Sequence, residues 1–154
     1  MRTLLSFVML AVFQVFSMGV AQADGHGTAA EAKALVENGL AHVKQVGIEK
    51  SAEDFTAKDG KWQQKDLYLF VIQFDGVMVA NGANKALVGK NVIDLKDANG
   101  ASIVVDMRDI AKSKGSGWYD YYFSNPTTKK VEPKSSYVVR IPGYEGYIGA
   151  GIYK

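Results

Sequence analysis

Between Gly117 and Tyr153 the chain gathers side chains that hold small molecules: Trp118, Tyr121 and Tyr137 on aromatic runs, with Lys134 among them. An ammonium offers three hydrogen-bond donors and a positive charge, which suits a carboxylate, while tyrosine hydroxyls add direction and tryptophan an apolar wall. Tyr68 and Asn81, earlier in the chain, carry groups of the same kind. Each has a plainer reading. Aromatics on strands are more often core, an asparagine at a strand end serves turns, and a lysine close to Lys129 and Lys130 is on composition alone a solvated one. Strict alternation also puts Trp118 and Tyr121 on opposite faces of a strand, so without a bulge one of the two lines a pocket, and Tyr121 is the preferred one.

Catalytic chemistry finds little footing. His26 and His42 stand beside no nucleophile or carboxylate motif. Asp94, Asp97, Asp106 and Asp109 suggest acid–base or calcium chemistry only until the spacing is checked: Asp97-Ala-Asn-Gly100 lacks the further ligands and final Glu of a calcium loop. The glycines at 143, 146, 149 and 151 precede no helix and give no phosphate cradle. An enzyme is not expected, and no cofactor is called for. One metal site is conceivable at the N-terminus. If processing follows Ala23, the chain begins Asp24-Gly25-His26, and a free amine, two backbone nitrogens and the His26 imidazole wrap copper(II) or nickel(II) in a square plane; coincidence in a loose terminus is the favoured alternative.

The elements that must position these groups follow from periodicity. Thr28-Ala-Ala-Glu31 has capping-box spacing, and Ala32, Leu35, Val36, Leu40, Val43 and Val46 form a helical stripe that Gly47 ends. A short second helix is expected over Ile48 to Phe55. Leu67 to Phe74 reads as a strand covered on both faces, and therefore central. Asp75-Gly76 signals a two-residue hairpin that returns Val77 to Asn81 antiparallel. Residues 82 to 100 read as loop, Ser102 as the cap of a helix ending near Gly115, and the remainder as three antiparallel strands separated at Asn125-Pro126 and Pro142-Gly143. The expected architecture is α+β: a five-stranded antiparallel sheet with a long N-terminal helix and a loop-and-helix insertion.

Composition narrows the partners. Positive and negative residues are interspersed at a net charge of +2, which argues against nucleic acid and against an anionic membrane surface. With no cysteine, thiol chemistry, iron–sulfur clusters and disulfide scaffolding are excluded. Met1-Arg2, the apolar run from Leu4 to Phe16 and Ala21-Gln22-Ala23 form a secretory signal peptide, so residues 1–23 are expected to be cleaved. Residues 24–154 then form one domain without a membrane span, in the periplasm or secreted.

Several motifs in order, Leu67-Tyr-Leu-Phe-Val, Asp75-Gly, Leu87-Val-Gly-Lys, Asp94-Leu-Lys-Asp-Ala-Asn-Gly100, Gly117-Trp-Tyr-Asp-Tyr121, Asn125-Pro, Pro133-Lys-Ser-Ser-Tyr137 and Gly149-Ala-Gly-Ile-Tyr153, resemble the single-Cache domain. The resemblance covers roughly residues 62 to 154, while the N-terminal helix fits in kind. It implies a PAS-like extracytoplasmic sensor domain, with the long helix on one sheet face and a small-molecule pocket on the other. Relatives of this kind form the outer part of chemoreceptors and sensor kinases, with small carboxylates as typical ligands. The family pattern has Lys at the position of Lys134, and many relatives have His where this chain has Asn81. The chain stops at Lys154, where a receptor continues into a transmembrane helix, so it resembles stand-alone exported forms whose output needs a membrane sensor or transporter as partner. The expectation is a periplasmic domain that binds a small organic anion: Lys134 neutralising it, Tyr121 with Tyr68 and Asn81 hydrogen-bonding it, Trp118 as wall and Tyr137 as a weaker candidate. The alternative is an exported adaptor with a vestigial pocket.

Overall fold

The computed structural model describes residues 25–58 and 60–154; the expected signal peptide lies outside them. The chain enters helix α1 (Ala29–Val46) through the capping box read from the sequence, the Thr28 hydroxyl accepting from Glu31 N and the Glu31 carboxylate from Thr28 N at 2.7 Å. Gly47, at φ +86°, ends α1 and starts α2 (Ile48–Thr56). Val46, placed on the apolar stripe by spacing, is exposed at the helix end.

Among the described residues six antiparallel strands follow. They are β1 (Gln63–Gln64), β2 (Leu67–Gln73), β3 (Met78–Asn81), β4 (Ser116–Ser124), β5 (Val131–Arg140) and β6 (Gly146–Tyr153), with helix α3 (Ile103–Lys114) between β3 and β4. Their spatial order is β1-β2-β6-β5-β4, and β3 also pairs with β2. β2 is buried on both faces as expected, yet the middle of the sheet belongs to β6, which joins β2 to β5. Local alternation cannot reveal that non-local pairing.

The β2–β3 turn also differs from expectation. Gln73 N donates to Val77 O and Gly76 N to Gln73 O, both at 2.9 Å, so three residues form the loop. Gly76 has φ +97° and Asp75 does not have positive φ; a turn closed by one left-handed glycine replaces the two-residue type. A Cβ on Gly76 would also meet Ile93 Cβ at 2.5 Å, so the turn is packed under the loop that follows.

The sheet separates two cores. On one face Leu67, Leu69, Val71, Ile148 and Ala150 pack against Ala32, Leu35 and Val36 of α1. Gly39 permits the close approach, since a Cβ there would stand 2.8 Å from Ile148 Cδ1. On the other face Tyr68, Phe70, Ile72, Val138 and Tyr147 lie beneath Ile103, Val104, Met107 and Ala111 of α3. Ser102 does not cap α3 with its side chain: the hydroxyl takes Lys96 Nζ at 3.1 Å, while Ile103 N is met by the carbonyls of Leu95 and Ala101. Backbone carbonyls thus satisfy the first free N–H of the helix, although not the N2 or N3 donors that a serine cap serves.

Candidate functional site

Alternation along four strands brings the polar groups of the α3 face together. Tyr121 of β4 pairs with Lys134 of β5, which pairs in turn with Tyr153 of β6, so three side chains share one rung. Ser136 pairs with Gly151 on the next rung of that face. A Cβ at Gly151 would meet Ser136 Oγ at 2.3 Å and Lys134 Cε at 2.4 Å. The missing side chain opens the lane along which Lys134 crosses β6 to reach Tyr68 on β2. Gly149 does the same for the Phe70 ring, 2.5 Å from its notional Cβ.

Lys134 is 1% exposed. Its Nζ donates to Tyr68 Oη at 2.7 Å and to Tyr153 Oη at 3.2 Å, and Tyr153 donates onward to Ser124 O at 2.8 Å. The rings of Tyr68, Tyr153 and Phe123 surround it, with centroids 4.2, 4.6 and 5.4 Å from Nζ. Among the described residues no carboxylate reaches ion-pair distance of it. Burial pushes its pKa from 10.5 down to about 7, partly opposed by Asp66. That acid is itself buried and engaged, accepting from Gly27 N at 2.7 Å and contacting His26 Nδ1 at 2.7 Å. Burial raises the hydroxyl pKa values of Tyr68, Tyr121 and Tyr153, so all three stay neutral hydrogen-bonding groups at physiological pH.

Beside this cluster lies a cavity. Tyr68, Asn81 and Tyr121 form its polar end, beside Phe123; Phe70, Ile72 and Met78 form its floor, and Leu95, Ile103, Val104 and Met107 its roof. About 30 Å³ is left open between them, room for one or two waters. The roof is fastened at its edges. Asp97 accepts from Asn99 N and Ala101 N within its own turn and from Tyr122 N of β4 at 3.2 Å, and Tyr119 donates to the Asp106 carboxylate. Asp97 and Asp106 thus hold turns and strands, and among the described residues no acidic or histidine cluster could hold a metal.

The expected site residues divide in two. Tyr68, Asn81, Tyr121 and Lys134 converge here. Asn81 acts as the turn residue, Oδ1 accepting from Ala83 N and Asn84 N, and it also lines the cavity, where its Nδ2 meets the Met78 sulfur 3.9 Å away. Trp118 and Tyr137 do not reach the cavity. They lie on the α1 face with ring centroids 5.3 Å apart, Lys33 over the Tyr137 ring, because the strands carry no bulge there to break alternation. Tyr153 and Ser136 were missed by sequence reasoning; Ser136 bonds Tyr121 Oη at 3.0 Å. The signal that could have found Tyr153 is the glycine pair two and four residues before it, since glycines repeated on one strand face make room for a neighbour's side chain. At the N-terminus, His26 Nδ1, the nitrogen a square-planar copper site would use, faces Asp66, and Asp24 lies outside the described residues.

Residues 27–154 match the family profile described as the Cache domain. The sensor histidine kinase MctS of Rhizobium johnstonii is 30% identical over 89 residues, covering 58% of this chain and 19% of that protein, so the chain spans about a fifth of its relative's length. Among solved structures, a methyl-accepting chemotaxis protein from Vibrio parahaemolyticus superposes with a TM-score of 0.69 at 24% identity, over 80% of this chain and 86% of the other. A Cache chemosensory domain solved for its carboxylic acid recognition gives the same TM-score at 19% identity, over 80% and 91%. These two likenesses show a shared fold.

Proposed function

The chain belongs to the Cache domain family, whose members are sensory ligand-binding domains rather than enzymes, and from that premise we propose that it is a periplasmic sensor domain that binds a small monocarboxylate on the α3 face. The observation that carries the reading is Lys134: a lysine buried to 1% exposure with phenols around it and, among the described residues, no carboxylate partner. Burying a lysine without a charged partner is costly, so a site that keeps one is suited to a counter-ion from outside. The anion would enter where Tyr68, Asn81 and Tyr121 meet the cavity, and its chain would lie against Ile72, Met78 and Met107. With a single cation and an apolar roof, a second carboxylate or an ammonium on the ligand would have no partner, which favours short monocarboxylates over dicarboxylates and amino acids. The cavity of about 30 Å³ requires the roof to move before a ligand of several heavy atoms fits. Occupancy would then reposition α3, which touches β4, β5 and β6 and so offers a route for the signal to a transmitter.

The test is a thermal-shift screen of the protein and of Lys134→Met against short mono- and dicarboxylates and amino acids. Ligand at 100 times its Kd stabilises by about 2.7 kcal/mol, a shift of several degrees for one domain. A monocarboxylate that shifts the wild type and leaves the variant unmoved supports the reading. The small cavity is the one observation favouring an adaptor with a vestigial pocket, and a screen in which no compound acts at millimolar concentration selects that alternative.

A further inference from the structure

The acceptors around Lys134 fit an amine better than an ammonium. A neutral amine has two N–H bonds, and two phenol oxygens accept from Nζ. An ammonium has three, and among the described residues the third finds no acceptor. Neighbouring charges do not supply the difference. Asp66, before β2, is turned to Gly27 and His26; Glu132, on β5, is held by Asn125 and Thr128 at 2.7 and 2.6 Å. Tyr68 on β2, Tyr121 on β4 and Tyr153 on β6 stay protonated, and α3 brings only apolar residues to the cavity.

We infer that the site takes up its anion together with a proton seated on Lys134, so that above neutral pH it responds to the product of the two concentrations, in effect to the undissociated acid. This rests on the carboxylate reading above. The carboxylate supplies the third acceptor and the missing charge, so it binds the ammonium form and raises the pKa of Lys134 from about 7. The sign follows from linkage. Below pH 6 the lysine is already charged and binding takes up almost no proton; at pH 8 the free protein is mostly amine and each anion brings about 0.9 proton, with the apparent Kd about tenfold weaker than at pH 6.

The experiment is calorimetric titration of the full protein with acetate, propionate, butyrate and valerate at pH 5.5 and pH 8, in buffers of different ionisation enthalpy. The slope of observed against buffer enthalpy counts protons. The expected slopes are near zero at pH 5.5 and about 0.9 proton at pH 8, the latter unchanged in His26→Gln. Lysine Cε resonances of labelled protein at pH 8 should show one residue moving from amine to ammonium shift on adding the same anion. Tight binding with zero slope at pH 8 would overturn proton co-binding while leaving the carboxylate reading intact. Loss of the slope in His26→Gln would move the proton to His26 and also overturn it. If none of the four acids binds, the carboxylate reading fails and this inference with it.

Discussion

Against α1, the sheet presents Leu67, Leu69, Val71, Ile148 and Ala150 to aliphatic side chains; against α3, the same strands β2 and β6, one residue out of phase, present Tyr68, Tyr147, Gly149, Gly151 and Tyr153. One face fastens a helix down with closely packed methyl groups. The other keeps two glycines, a buried lysine, several phenols and a small cavity. Period-two alternation lets one set of strands carry both, so stability and recognition can be tuned by residues that are chain neighbours but never share a face.

Substitutions can break that division or sharpen it. The largest loss of stability is expected from Leu69→Ala, at about 2–5 kcal/mol, since it opens a cavity under α1. Urea denaturation should show the loss while anion affinity of the folded fraction holds within about twofold; a tenfold drop in affinity would mean that the faces are coupled. Lys134→Met is expected to act in the opposite direction, gaining about 1–4 kcal/mol below pH 7 while abolishing anion binding. The sign follows from the depressed pKa. Between about 7 and 10.5 the unfolded chain holds a proton that the native state lacks, so wild-type stability climbs with pH across that window and the gain of the variant fades toward pH 10. Denaturation at pH 6 and pH 10 checks both halves. Gly151→Ala drives a methyl into Ser136 Oγ and Lys134 Cε, for a cost of about 1–3 kcal/mol and weaker binding. Tyr121→Phe removes the bond to Ser136, worth about 0.5–1.5 kcal/mol, and lowers affinity. Trp118→Phe, on the α1 face, should leave affinity within about twofold.

Much of this arrangement was legible before folding. The capping box at Thr28, the stop at Gly47, the strands and the helix after residue 102 are local devices, and local devices are written in adjacent residues. Tyr68, Asn81, Tyr121 and Lys134, named from the sequence by residue type and, for Asn81 and Lys134, with help from a family resemblance, lie close together in the fold. What stayed hidden was set by pairing at long range. The place of β6 between β2 and β5 and the aim of Lys134 across Gly151 at Tyr68 depend on which rungs align, whereas the separation of Trp118 from Tyr121 followed from alternation alone. The Asp75-Gly76 turn misled for a related reason, because the loop packed on it, at Asn91 and Ile93, lies beyond the window that a turn motif samples.

The most direct test of the division is a crystal structure of the protein grown with the monocarboxylate that stabilises it most. The expected result places the carboxylate within hydrogen-bond distance of Lys134 Nζ and of the Tyr68 or Tyr121 hydroxyl, with α3 and its preceding loop displaced and the packing of α1 on Leu69 and Ile148 unchanged. A ligand seated against α1, or one on the α3 face that leaves Lys134 bonded only to Tyr68 and Tyr153, would contradict it.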